Sequence, residues 1–112
     1  MVYAVYRQAG DVIDYTPGSN VSAGDVVVLG DTVAIAKTDI AAGKVGSLAT
    51  EGVFEVVKGT GEGTDISVGA AVFWDSTNKI ATTSTSGTKY IGRCVKAATI
   101  SNTTVWVKLL WI

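Results

Sequence analysis

The apolar positions of this chain fall in short runs of β-branched and aromatic residues, cut by polar turns. They predict strands near residues 2–7, 11–15, 26–29, 33–37, 45–49, 53–57, 71–75, 79–82, 90–97 and 104–110, because β-branched side chains pack well on a pleated surface and lose rotamers in a helix. Turn signals separate the runs: Pro17-Gly18-Ser19-Asn20, Gly30-Asp31, Ala41-Ala42-Gly43, Asp75-Ser76-Thr77-Asn78 and the stretch from Ser84 to Gly87. Only Thr38 to Gly43 invites a helical turn, with Thr38 or Asp39 as cap and Gly43 as stop, and a loop is expected there. In the final run Val105, Val107 and Leu109 share one face, and Trp106, Lys108 and Leu110 the other. One face is expected in the core, which leaves the opposite indole at least partly outside.

The pattern also repeats. Residues 21–31, VSAGDVVVLGD, return at 66–76 as ISVGAAVFWDS. Val21 matches Ile66, Ser22 matches Ser67, Gly24 matches Gly69, and the triplet Val27-Val28-Leu29 falls on Val72-Phe73-Trp74. Each copy reads as a glycine turn, a short apolar strand and a polar turn. A weaker echo sets Lys44-Val45-Gly46, before Val53-Phe54-Glu55-Val56, against Tyr90-Ile91-Gly92, before Cys94-Val95. The expectation is a single all-β domain over residues 1–112, a small barrel or sandwich. It has related units near 21–57 and 66–98, an N-terminal strand at 2–15 and a C-terminal strand at 104–110. Val27, Leu29, Val72 and Trp74, or their immediate neighbours, are expected in one shared core.

Composition supports strands: Val, Ile and Thr number 17, 8 and 14, against four Leu. Charged residues are 17% of the chain and mean hydropathy is +0.36, whereas a typical soluble domain carries about 25% charge. No run approaches the ~20 apolar residues of a membrane-spanning helix, and Met1-Val2-Tyr3-Ala4-Val5-Tyr6 meets Arg7 and Gln8 before a signal-peptide core forms. Part of the apolar surface is therefore expected against other chains, beside the plainer reading of a tight core under a Ser/Thr exterior. The Trp111-Ile112 end is expected to be packed, at home or against a neighbour. The net charge is −1 with dispersed lysines, so nucleic-acid binding is not expected. The lone Cys94 reads as a buried structural thiol of a chain made in a reducing cytosol.

Candidate chemistry is sparse. Without histidine there is no His-based triad and no imidazole metal site. The acidic pairs Asp11/Asp14, Asp25/Asp31, Glu51/Glu55 and Glu62/Asp65 mostly flank glycines or turns, where a carboxylate bonds its own backbone. Lys58-Gly59-Thr60-Gly61-Glu62-Gly63-Thr64 is glycine-rich but lacks the Lys-Ser/Thr and the helix that a phosphate-binding loop requires. It reads as a flexible loop between the repeats. Trp74, Trp106 and Trp111 are candidates for stacking sugars, although one or two are needed to fill the core. No enzyme and no cofactor is expected.

Several segments, in order and with similar spacing, carry a resemblance. They are Asp11-Val12-Ile13-Asp14-Tyr15-Thr16 through Ser22-Ala23-Gly24-Asp25-Val26-Val27, Ala34-Ile35-Ala36-Lys37-Thr38-Asp39-Ile40-Ala41-Ala42-Gly43, Glu51-Gly52-Val53-Phe54-Glu55-Val56, and Ala71-Val72-Phe73-Trp74-Asp75. The chain resembles the capsid cement, or head decoration, proteins of tailed phages and prophages. Some members carry a RecA/RadA recombinase label, against which the missing phosphate loop argues. The resemblance implies a structural virion protein, made in the bacterial host cytoplasm, that binds the major capsid protein on the capsid exterior, commonly as a trimer. A fold similar to the β-clip is a looser analogy. The family supplies no active-site residues. The contact residues expected from the sequence are Val2, Tyr3, Val5, Tyr6, Trp106, Trp111 and Ile112. The first four lie outside both repeats, where an edge strand with free backbone groups can add to another chain's sheet; the competing expectation is a home strand that closes the barrel. The alternative function is a surface module that uses exposed aromatics to recognise glycan or host protein.

Overall fold

Every apolar run from residue 11 onward becomes a strand, because each finds a neighbour to satisfy its backbone N–H and C=O groups. The computed structural model describes residues 3–111. Its strands are β1 (Val12–Tyr15), β2 (Val26–Leu29), β3 (Thr32–Ala36), β4 (Gly46–Ala49), β5 (Val53–Val57), β6 (Ala71–Asp75), β7 (Ile80–Thr82), β8 (Lys89–Lys96) and β9 (Thr104–Leu109). They form two antiparallel sheets, ordered β1-β4-β3-β2 and β5-β9-β8-β6-β7. A parallel bridge between Lys58 and Ala81 brings the two edges of the larger sheet together, so that this sheet curls nearly into a barrel. The Thr38 to Gly43 segment is a loop, as expected.

The repeat is a duplication in three dimensions. Gly24 and Gly69 take φ of 92° and 87°, a left-handed conformation that favours glycine. Gly24 N–H donates to the Ala36 carbonyl at 2.6 Å, and Gly69 N–H to that of Cys94 at 2.8 Å. Ala36 N–H donates in return to Asp25, and Cys94 N–H to Ala70, both at 3.0 Å. Isolated bridges pair Val21 with Ile40 in the first unit and Ile66 with Ala98 in the second. The equivalence extends to the sheets: β2-β3-β4-β1 corresponds to β6-β8-β9-β5, with β7 as an addition to the second unit, so the units run over 12–49 and 53–109 in place of the expected 21–57 and 66–98. Strand pairing sets Ile13 and Leu48 in the first unit against Phe54 and Val107 in the second.

Two apolar clusters follow from the duplication. The main core gathers Val56, Ile66, Val72, Trp74, Ala81, Ile91, Cys94, Ala98, Val105, Val107 and Leu109 of the second unit, together with Val33 and Ile35 of β3. The smaller cluster lies in the first unit, where Ala34, Ala36, Ile40 and Leu48 pack with the half-buried Ile13, Tyr15, Val21, Val27 and Leu29. Strand β3 therefore buries both of its faces, alternate residues going to each cluster. Gly92 sits between β6 and β9, where a Cβ would overlap the Lys108 carbonyl oxygen.

Three expectations need correction. Residues 3–7 form no strand and pair with no sheet; they are exposed, and the competing expectation of a home strand fails with them. β-Prone side chains do not make a strand without a partner for the backbone. Val27 and Leu29 do not share a core with Val72 and Trp74, since each pair faces the cluster of its own unit; of their immediate neighbours, which the expectation also allowed, Val26 does pack against the main core. The weaker echo links non-equivalent strands, as Gly46 opens β4 whereas Gly92 lies within β8.

Candidate contact surface

The outward face of β5, β9 and β8 is built around Trp106. Alternation along β9 buries Val105, Val107 and Leu109 and leaves Trp106 43% exposed, as its sequence pattern predicts. Register places Glu55 beside Trp106 on one flank and Lys96 on the other. The Lys96 ammonium lies 4.9 Å from the indole centroid, a cation–π contact. Glu55 Oε2 accepts a 2.6 Å hydrogen bond from the Thr104 hydroxyl. Val53, Val57 and Val95 are exposed near the indole, and Arg93 and Lys108 pair on the same face. Three cations and one carboxylate thus surround an apolar centre, so this face is locally positive on a chain whose net charge is −1.

The N-terminal arm is the second exposed apolar element. Tyr3 is 89% and Tyr6 84% exposed, and Val5 is exposed between them. Its side-chain tether is a 3.2 Å hydrogen bond from the Gln8 amide to the Val12 carbonyl. Trp111 lines a small pocket with Gly10, where the arm ends. Its indole N–H donates to the Val33 carbonyl at 2.8 Å, which anchors it at home, while 45% of its surface remains exposed. Of the contact residues expected from the sequence, Tyr3, Val5 and Tyr6 share the arm and Trp106 centres the sheet face; Val2 and Ile112 lie outside the described residues.

Sequence reasoning missed Lys58. It is only 3% exposed, and its ammonium donates to the carbonyls of Gly59 at 2.7 Å, Thr99 at 3.0 Å and Asn102 at 2.9 Å. The glycine-rich segment is thereby tied to the turn before β9, rather than being a free linker. A signal was present: Lys58 continues the inward phase of Phe54 and Val56. Its cage is made of carbonyl oxygens already matched to the ammonium, and it offers no donors to a phosphate.

Carboxylates serve the turns. Asp25 accepts from the Ser22 N–H at 3.0 Å and Asp39 from the Ala23 N–H at 2.8 Å. Asp75 accepts from the Asn78 backbone and side chain and from Thr77 N–H, and these bonds, the Asn78 pair foremost, hold its carboxyl below the ordinary value. Among the described residues no three His, Cys, Asp or Glu side chains gather as a metal site. A shallow cleft of about 620 Å³ runs along Glu62, Asp65 to Val68 and Ala97 to Ile100, mostly apolar but for the Ser67 and Thr99 hydroxyls and the two carboxylates, Glu62 and Asp65.

The family model described as Phage cement protein matches residues 7–109. No curated protein and no solved structure matches the chain.

Proposed function

Given that this chain belongs to the phage cement protein family, and so is a structural, capsid-binding virion protein rather than an enzyme, we propose that it binds the capsid exterior as a homo-oligomer, most simply a trimer. In this reading the chain is made in the bacterial host cytoplasm and meets the major capsid protein on the assembled shell. The contact residues are Val2, Tyr3, Val5 and Tyr6 of the arm, Trp106 of the sheet face, and Trp111 with Ile112 at the other end. One observation carries the reading: aromatic side chains stand exposed at Tyr3 and Tyr6 of the unpaired arm and at Trp106 of the sheet face, with cations around the last. An apolar centre with a charged rim is the usual anatomy of a protein contact. Its positive rim suits an acidic patch on the shell. A glycan platform fits less well, because the Lys96 ammonium occupies the indole face on which a sugar would stack.

Co-sedimentation with assembled heads of its own phage tests the assignment. Protein is expected in the particle fraction, with Trp106→Ala weakening retention by about tenfold or more, the loss typical of a central aromatic contact. Protein that stays in the supernatant with intact heads would overturn the assignment, and selective capture on a glycan array would favour the surface module instead.

A further inference from the structure

The two halves of the duplication are unequally covered. In the second unit Val56, Ile66, Val72 and Trp74 are buried; their counterparts Tyr15, Val21, Val27 and Leu29 are each half-exposed. The cause is visible in the packing. The outward face of the first sheet, through Val26, Val33 and Ile35, roofs the core of the second unit. Among the described residues nothing roofs the first unit in the same way. The roof residues come from two cross-strand pairs, Val26 with Ile35 and Val28 with Val33, of which Val28 alone stays exposed. Their counterparts on the second sheet are Ala71 with Arg93 and Phe73 with Tyr90. Phe73 and Tyr90 meet edge to face, with centroids 5.7 Å apart and planes at 70°, and both remain half-exposed.

We propose that a second copy of this chain supplies the missing roof. The Phe73–Tyr90 face of one copy seats on Ile13, Tyr15, Val27 and Leu29 of the next, repeating between chains the contact that the two units make within one. This names the surface for the self-association proposed above and rests on that reading. Because the two patches differ, the contact runs head to tail, and repetition closes a ring or continues as a chain. A standard contact covers roughly 800 Å² on each partner, a modest share of the 6970 Å² that this chain exposes.

Complementation tests the head-to-tail geometry. Leu29→Asp spoils one patch and Tyr90→Asp the other, and sedimentation equilibrium at high micromolar concentration reads the mass. The parent protein should self-associate and each variant should be monomeric. An equimolar mixture should recover a two-chain species and nothing larger, because one intact pair of surfaces remains. A monomeric parent, a variant that keeps the parent's mass, or a mixture that stays monomeric would overturn the proposal. Circular dichroism checks each fold, and Leu29→Ser and Tyr90→Ser replace any variant that does not fold. Hydrogen exchange on the unaltered protein gives a second readout. Protection at residues 27–29, 73 and 90 should rise with concentration, and a rise confined to residues 3–9 would assign the contact to the arm and defeat the proposal. Co-sedimentation is scored separately: a monomeric chain that still binds heads ends this contact and leaves the cement assignment standing.

Discussion

At the scale of single residues, the larger unit depends on a buried cation held by neutral oxygens. Three carbonyls, from Gly59, Thr99 and Asn102, converge on the Lys58 ammonium. Hydrogen bonds to a charged group are stronger than neutral ones, and a buried acceptor stripped of its donor keeps its desolvation cost. Lys58→Met preserves much of the stem but removes every donor, leaving those oxygens to find water or remain unpaired. A loss of about 1–3 kcal/mol is expected for the site. It should appear as a lower urea midpoint with an unchanged slope. An unchanged midpoint would mean that solvent replaces the cage without cost. The same residue marks a limit of pattern reading. A lysine after five strand residues is ordinarily a surface charge, and only its phase with Phe54 and Val56 points inward. Trp106 was legible for the opposite reason, because the alternation of β9 is unbroken and leaves one assignment of faces.

At the scale of elements, side-chain pattern located the strands well and failed where pairing decides. The runs from 11–15 to 104–110 became strands within a residue or two of their expected bounds. The run at 2–7 has equally strand-prone residues but no sheet beside it, and pairing is a property of the neighbour rather than of the run. The duplication was legible only where the copies stay in step, through the glycine turn and the strand after it. Beyond that, the longer segment between β5 and Ile66 and the insertion of β7 break the alignment, although the backbone bonds continue to correspond. An unpaired arm also makes a prediction at this scale. Deleting residues 3–9 removes exposed side chains and one side-chain hydrogen bond, from Gln8, and substitutions away from buried features usually change stability by less than about 0.5 kcal/mol. The melting temperature should stay within a degree or two, while retention on heads falls. A large drop in melting temperature would make the arm part of the fold.

At the scale of the whole molecule, the two sheets are expected to unfold as one cooperative body because the main core is finished by residues of the first sheet. Ile35 shows this most directly. It belongs to β3 of the first sheet, yet it is buried in the main core with Val56, Val72, Trp74 and Cys94 of the second unit. Were the units independent, a cavity at Ile35 would destabilise the smaller sheet and leave the larger transition in place. With a shared core, the same cavity lowers the stability of both sheets together. Ile35→Ala is therefore expected to cost about 2–5 kcal/mol, the range for a large-to-small core substitution, and to preserve a single transition. Three probes report on it: far-ultraviolet circular dichroism for both sheets, tryptophan fluorescence for the second unit, and labelling of Cys94, a thiol that is 1% exposed and free. Their midpoints should shift down by the same amount and remain coincident, the signature of two-state unfolding. A split, with the dichroism changing at lower denaturant than Cys94 labelling, would show the first sheet opening alone and would separate the duplicated halves into two stability units.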